Sequence, residues 1–366
     1  VHKRVSGCLV VLSAMAILAG CSSNNRITQI NGPDAVIKYN EKDTSKVRFN
    51  NLISKKPEYP VTCTEDCYPE SPWVECQTPA QNCRYTGPQS TTELQSGFKI
   101  QWLGHASFSI KSSDGSLVLL DPVSRQFDWP VNWAFQLTGG VKRSEPAWLS
   151  EQTLQSVDAV LYSHIHYDHF NKSDIEAIGN RAKYYTPMGF AEHFPDGGYT
   201  INEMSWFSET SVNELNLTFV PANHFSGRIW VPFLYEDENT TLWGGWVIEQ
   251  AEHKIFFAGD TGYSPHFKEI KNRLGAMDVC LMPIASYYHP EAGSWYRFVH
   301  TTPEDALIAA EELECKVMIP WGYGNNSWQM GDHSSHSALL RLLHMHQQLN
   351  SSVPLLILNE NDTVQL

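Results

Sequence analysis

The chain has 366 residues, 42% of them hydrophobic, with 12 Trp, 15 Tyr and 16 Phe, which excludes an intrinsically disordered chain and allows a large buried core. Lys and Arg number 26 against 40 Asp and Glu, a formal net charge of −14. A chain this acidic lacks the basic surplus that neutralises nucleic-acid phosphates, so no nucleic-acid partner is expected.

The first residues read as an export signal. Lys3 and Arg4 precede an apolar run from Cys8 to Ala19, which has the length of a signal-peptide core and falls short of the ~20 residues that span a bilayer. The run ends Leu18-Ala19-Gly20-Cys21, small residues before a Cys that resemble the bacterial lipobox. Residues 1–20 are therefore expected to be a lipoprotein signal peptide and Cys21 to carry lipid; an ordinary secretory signal with a chance Cys is the other reading. Ser22 after the Cys resembles lipoproteins sorted to the outer membrane. The expectation is a lipid-anchored protein of the bacterial cell envelope that faces the periplasm, with the membrane as a partner through its N-terminal lipid.

Residues 21–95 read as a polar tether followed by a Pro- and Cys-rich irregular segment. Cys63, Cys67, Cys76 and Cys83 lie close together. In an oxidising compartment they are expected to form two disulfides, with all three connectivities open. A zinc knuckle is the rival reading, although the spacings match no common zinc pattern. Cys280 and Cys315 sit in or beside apolar runs and read as unpaired core residues.

From residue 96 to residue 366 the pattern is that of one folded domain. Phe98–Leu103 alternates like a half-buried strand. Ser107–Ile110 and Ser116–Asp121 form a hairpin across Ser112-Ser-Asp-Gly115, and residues 124–150 read as a long loop. Further strands are expected over Val157–Tyr162, Ala182–Tyr185, Leu215–Val220, Leu242–Glu249, Lys254–Ala258, Val279–Ile284, Lys316–Ile319 and Pro354–Leu358. Helices are expected over Lys172–Arg181, over Pro303–Glu314 with Thr302 as N-cap and Pro303 at the first position, and over Ser335–Leu349.

The strongest chemical signal is Ser163-His-Ile-His-Tyr-Asp-His169, which places four donor side chains directly after an apolar strand. In an extended segment His164 and His166 can reach one ion, and Asp168 with His169 a second. Imidazole together with carboxylate suits Zn²⁺ and related first-row metals. His224 and Asp260 also follow apolar strands and complete a candidate set.

These segments resemble the metallo-β-lactamase superfamily and, within it, the N-acyl-phosphatidylethanolamine phospholipase D branch. The likeness rests on Trp102-Leu-Gly-His-Ala-Ser107, Ser163–His169, His224-Phe-Ser-Gly-Arg228, Leu242-Trp-Gly-Gly-Trp246, Phe256–Tyr263, Pro283-Ile-Ala285, His300-Thr-Thr-Pro-Glu304 and Trp321-Gly322, in that order over about residues 98–323. It implies an α/β fold of the αββα type, two mixed sheets flanked by helices. It implies two Zn²⁺, one held by His164, His166 and His224, the other by Asp168 and His169, with Asp260 bridging.

The implied function is a zinc-dependent phosphodiesterase acting on a phospholipid-like substrate. Asp168 would orient the attacking water, and His300 would contact the phosphate or assist the leaving alcohol. Arg228 could contact the phosphate or buttress its loop, the second being the expectation, and Tyr287, Tyr288, Trp295, Tyr296 and Phe298 form an aromatic loop able to line an acyl pocket or simply to pack. The alternatives are lactone or amide hydrolysis on the same fold, or a non-enzymatic envelope protein with a degenerate metal site. One departure bears on the choice. The family carries a His immediately before the late Trp-Gly, and this chain has Pro320, which leaves the second metal a ligand short. A water, His333 or His336 could fill the gap, or the second site could be weak.

Overall fold

The computed structural model describes residues 24–32, 38–39, 48–53, 58–78, 81–90, 94–124, 128, 133, 148–228, 237–288, 295–327 and 334–366. The signal peptide, Cys21 and His333 lie outside the described residues, as does most of the long loop expected over 124–150.

Two sheets form the frame. The larger has eight strands in the spatial order Arg26–Ile30, Thr200–Met204, Lys183–Pro187, Ala159–Leu161, Leu117–Leu120, Ser107–Lys111, Lys99–Gly104 and Thr363–Gln365. The smaller has six, in the order Glu209–Val212, Leu215–Val220, Gly245–Gln250, His253–Phe257, Val279–Pro283 and Val317–Trp321. Both are mixed: hairpin-connected strands run antiparallel, and strands joined through helices run parallel.

Side-chain alternation explains why the middle strands are apolar throughout. Val118 and Leu120 point into the core between the sheets, whereas Leu117 and Leu119 point to the outer layer with Ile175 and Ile178 of the helix Lys172–Ile178. Phe108 of the large sheet meets Phe257 of the small one at 6.1 Å between ring centroids. The indole N–H of Trp246 donates across the sandwich to the Tyr162 carbonyl at 3.0 Å. On the far side of the small sheet the helix His266–Leu274 contributes Phe267, 6.3 Å from Phe256. The helix Pro303–Glu312 starts with a capping box between Thr302 and Asp305 and packs beside Ser337–Gln348. The layers are thus helix, sheet, sheet, helix, as the resemblance implied.

Three expectations change. The tether supplies a strand: Arg26–Ile30 pairs in parallel with Thr200–Met204 as the edge of the large sheet. Its five residues alternate too weakly to be seen without their partner. The expected strand Pro354–Leu358 reduces to a single bridge between Leu355 and Met318. Met318 N–H donates to the Pro354 carbonyl and Leu356 N–H to the Met318 carbonyl. The next rung would need an N–H from residue 320, which is a proline. The closing strand is Thr363–Gln365, antiparallel to Lys99–Gln101. Finally, Cys280 and Cys315 are not free: they form a disulfide with Cα atoms 6.0 Å apart. They stand 35 residues apart in sequence, and the parallel pairing of Val279–Pro283 with Val317–Trp321 brings them together.

In the Cys-rich segment Cys63 pairs with Cys67, and Cys76 with Cys83 across the hairpin Val74–Thr78/Gln81–Tyr85. This segment is strapped to the sandwich. Arg297 donates to the Val61 carbonyl at 2.6 Å, Cys63 N–H to Glu304 at 3.1 Å, and Tyr85 N–H to Asn359 at 2.8 Å. No helix among the described residues is long and apolar enough to cross a membrane.

Candidate metal centre

The donor residues come from turns at the ends of strands in both sheets. Tyr162, Ser163 and His164 continue Ala159–Leu161. His224 follows Leu215–Val220 by four residues, and Asp260 follows His253–Phe257 by three. Asp260 is aimed by Gly259, whose φ is +61°. A Cβ there would sit 2.6 Å from the Gly244 carbonyl oxygen and 2.7 Å from Ser163 Cβ, so only glycine lets the two turns approach this closely.

His164, His166 and His224 converge. His166 Nδ1 lies 2.8 Å from His164 Nε2 and 3.2 Å from His224 Nε2. The His224 ring is oriented by its Nδ1–H donating to the Val299 carbonyl at 2.9 Å, which turns the lone pair of Nε2 inward. Burial, reinforced by the neighbouring imidazoles, holds His164 well below the usual histidine range. Burial likewise holds His224 far down and brings His166 to about 4. Three neutral imidazoles therefore present lone pairs to one point, the state in which histidine binds a metal.

A second cluster adjoins the first. His169 Nε2 is 3.2 Å from Asp260 Oδ2 and 3.7 Å from Asp168 Oδ2. Its other nitrogen, Nδ1, lies 2.7 Å from Asp121 Oδ2. Asp260 Oδ2 is also 3.9 Å from both His164 Nε2 and His224 Nε2, so its carboxylate stands between the clusters, as the bridging role requires. Burial opposes the charge of Asp168 and Asp260, but His169 and the hydrogen bonds from His105 and His300 outweigh it and keep both carboxyls ionised. His300 Nε2 lies 3.2 Å from Asp260 Oδ2, beside the candidate ligands.

The donor set fits divalent cations. Buried carboxylates at this density are stable only beside positive charge. His169 Nε2 is fully buried and has no hydrogen-bond partner among the described residues. It points between two carboxylates at ligand–ligand spacing, where a cation would satisfy all three. His166 and Asp168 are the half-buried members and mark the side open to solvent.

All six expected ligands are thus brought together. His336 is not: it packs against Tyr323 at 5.4 Å and joins none of the donor groups. Arg228 is the buttress expected of it, donating to the carbonyls of Ile165 and Phe170 at 3.0 and 2.9 Å and to Asp128 at 2.7 Å. Of the aromatic loop, Tyr296 stacks on His300 and the exposed Trp295 sits 5.5 Å from Phe225, which packs on His166. Tyr287 instead faces Tyr68 and Arg341.

Three residues close to the ligands carried no assignment from sequence. Asp121 closes an apolar strand in the same way as the ligand-bearing turns, and that was its signal. His105 sits inside the Trp102–Ser107 motif, and no neighbouring residue in the sequence marks it as a donor. Asn51 had no signal at all; its Oδ1 accepts from the His224 N–H at 2.9 Å and the Trp243 indole at 2.8 Å.

The β-lactamase superfamily domain model matches residues 117–323, which contain every expected ligand. The chain belongs to the metallo-β-lactamase superfamily. It is similar to a metal-dependent hydrolase of Polynucleobacter asymbioticus (26% identity; 78% of this chain, 90% of the relative). It is also similar to an N-acyl-phosphatidylethanolamine-hydrolyzing phospholipase D of Caenorhabditis elegans (29% identity; 62% and 65%). The superfamily fold is shared with the structure of a possible metal-dependent hydrolase from Veillonella parvula, with a TM-score of 0.54 at 14% identity (73% and 99%). The chain spans 58% of the length of the uncharacterized mycobacterial relatives it matches at 33% identity, an alignment covering 61% of this chain.

Proposed function

We propose that the protein hydrolyses a phosphodiester, of the phospholipid class, from a lipid-tethered position in the bacterial envelope. The observation that carries the reading is the shared carboxylate of Asp260, which lies within 3.9 Å of His164 and His224 on one side and 3.2 Å of His169 on the other. A carboxylate shared between two donor clusters supports a paired-cation site. Two bound cations, zinc in this reading, would acidify a water toward neutral pH and polarise a phosphoryl oxygen. Asp168, half-buried on the solvent side, accepts from His105 at 3.0 Å and is placed to orient the attacking water. His300 has a buried Nδ1 with no partner among the described residues, a site for hydrogen bonding to a phosphate oxygen or for passing a proton to the leaving alcohol. In the reaction the new P–O bond to water forms as the bond to the alcohol breaks, giving a phosphomonoester and a free alcohol. Trp295 and Phe225 offer apolar surface beside His166 for an acyl chain.

The likeness to the nematode phospholipase supports this substrate class, and the lipobox-like Cys21 supports the tether. The test is hydrolysis by full-length protein, metal-depleted and then reloaded with zinc. Bis(p-nitrophenyl) phosphate and N-acyl-phosphatidylethanolamine micelles are the substrates, with a lactone and an amide as controls. Zinc-dependent release of the alcohol is expected. Turnover of the lactone or amide alone, with both ions bound, would overturn the phosphodiesterase assignment.

A further inference from the structure

We propose that His105 is a direct ligand of the second metal position, supplying through the turn after Lys99–Gly104 the donor that Pro320 cannot. The inference rests on the metal-centre reading and adds a ligand to it.

One donor atom each of His105, Asp168 and His169 lies within 4.8 Å of the other two, with His105 Nε2 at 3.0 Å and His169 Nε2 at 3.7 Å from Asp168 Oδ2. Donors bonded at about 2.0–2.1 Å to a tetrahedral ion stand about 3.3 Å apart, so these separations bracket the required edge. Asp260 Oδ2, 3.2 Å from His169 Nε2, adjoins this group.

Ser327 Oγ donates to the Gly322 carbonyl at 2.5 Å. A hydroxyl has one hydrogen, so toward His105 Nδ1, 3.1 Å away, its oxygen can only accept. Nδ1 therefore carries the hydrogen. Nδ1 is thus anchored on Ser327, and Nε2, 3.0 Å from the Asp168 oxygen, is the atom turned into the donor cluster. An imidazole held by a hydrogen bond at Nδ1 with Nε2 turned to the metal is the usual geometry of a histidine ligand.

His105 has φ +49°, the left-handed region that a residue with a Cβ occupies at a cost. The turn is locked by the Trp102 indole donating to the His105 carbonyl at 2.9 Å, and the ring is buried against Trp321. Strain of this kind at a side chain aimed into a donor cluster fits a ligand better than a packing residue.

The test is metal binding by the full chain, read without activity. Wild type, His105→Ala and His105→Gln are titrated with Zn²⁺ against a chelator and loaded with Co²⁺ for absorption spectra. Gln can still donate a hydrogen bond to Asp168 but is a poor ligand. Two ions are expected in wild type. In both variants the second-site affinity should fall by about 100-fold or more, with the three-His site still filled and the cobalt bands of the second site lost. Retention of wild-type second-site affinity by His105→Gln would reduce His105 to a hydrogen-bond partner and overturn the proposal. Should a variant not fold, X-ray absorption on the two-zinc wild type decides instead: five imidazoles per pair are expected, and four would refute it. A wild type that binds one ion only also overturns it and leaves the three-His site intact. Absence of phosphodiester turnover with both ions bound concerns only the proposed activity.

Discussion

Asp121→Asn isolates what a residue outside the ligand set contributes to the centre. Asp121 is fully buried and serves two partners. Its Oδ1 accepts from the Ser163 N–H at 2.7 Å, and its Oδ2 accepts from Ser163 Oγ at 2.5 Å and His169 Nδ1–H at 2.7 Å. These bonds fix the His169 tautomer, so that Nε2 is the atom offered toward Asp168 and Asp260. Asparagine keeps an oxygen for the Ser163 N–H but turns an NH₂ toward His169. Nδ1 must then accept, which moves the ring proton to Nε2, the atom that should bind the ion. The loss is one charge-assisted bond plus the wrong tautomer, an effect of about 10- to 100-fold in second-site affinity, or about 1.4–2.7 kcal/mol. The three-His site should change less, because only His164 touches this network, through Ser163 Oγ at 3.0 Å. Zinc titration against a chelator at pH 7.5, with total metal counted on the same samples, separates the two sites. Equal second-site affinity in wild type and variant would refute the tautomer argument, and equal losses at both sites would mean that Asp121 simply holds the fold.

Three further outcomes are expected. Burial lowers the His266 pKa from 6.5 to about 3, so the unfolded chain takes up a proton below pH 6.5 that the folded one refuses. The stability contributed is complete above pH 6.5 and is lost as pH falls toward 3, amounting to about 3 kcal/mol at pH 4.5; the fall in Tm between pH 7 and 4.5 should be shallower in His266→Gln, and an identical slope would count against a buried neutral ring. Reducing the Cys280–Cys315 bond, which closes a loop of 35 residues, should lower the unfolding free energy by about 4 kcal/mol on the chain-entropy account, read as a drop in the urea midpoint; two free thiols in oxidised protein would show that the bond does not form. Cys21→Ser should move the protein from the membrane to the soluble periplasmic fraction, and unchanged fractionation would dispose of the lipid anchor.

The sequence alone determined most of the apolar strands, their hairpin turns, the capped helix at Pro303 and the six candidate ligands, because each of these is written in neighbouring residues. His164, His166, Asp168 and His169 lie in one seven-residue segment, and His224 and Asp260 are marked by the apolar strands they end. Tertiary structure decided whatever depends on residues distant in the chain. Arg26–Ile30 is polar enough to pass for a tether and becomes a strand only because Thr200–Met204 offers it a sheet edge. Cys280 and Cys315 become partners only through the parallel register of their two strands. Pro320 was legible as a missing ligand, but not as the residue that ends the ladder to Leu355 by lacking an N–H. His105 is near Asp168 only once the large sheet has folded, 63 residues having been brought to 3.0 Å. Donor chemistry is a property of residue type and so can be read locally, whereas coordination is a matter of distance between chain segments, which packing alone sets.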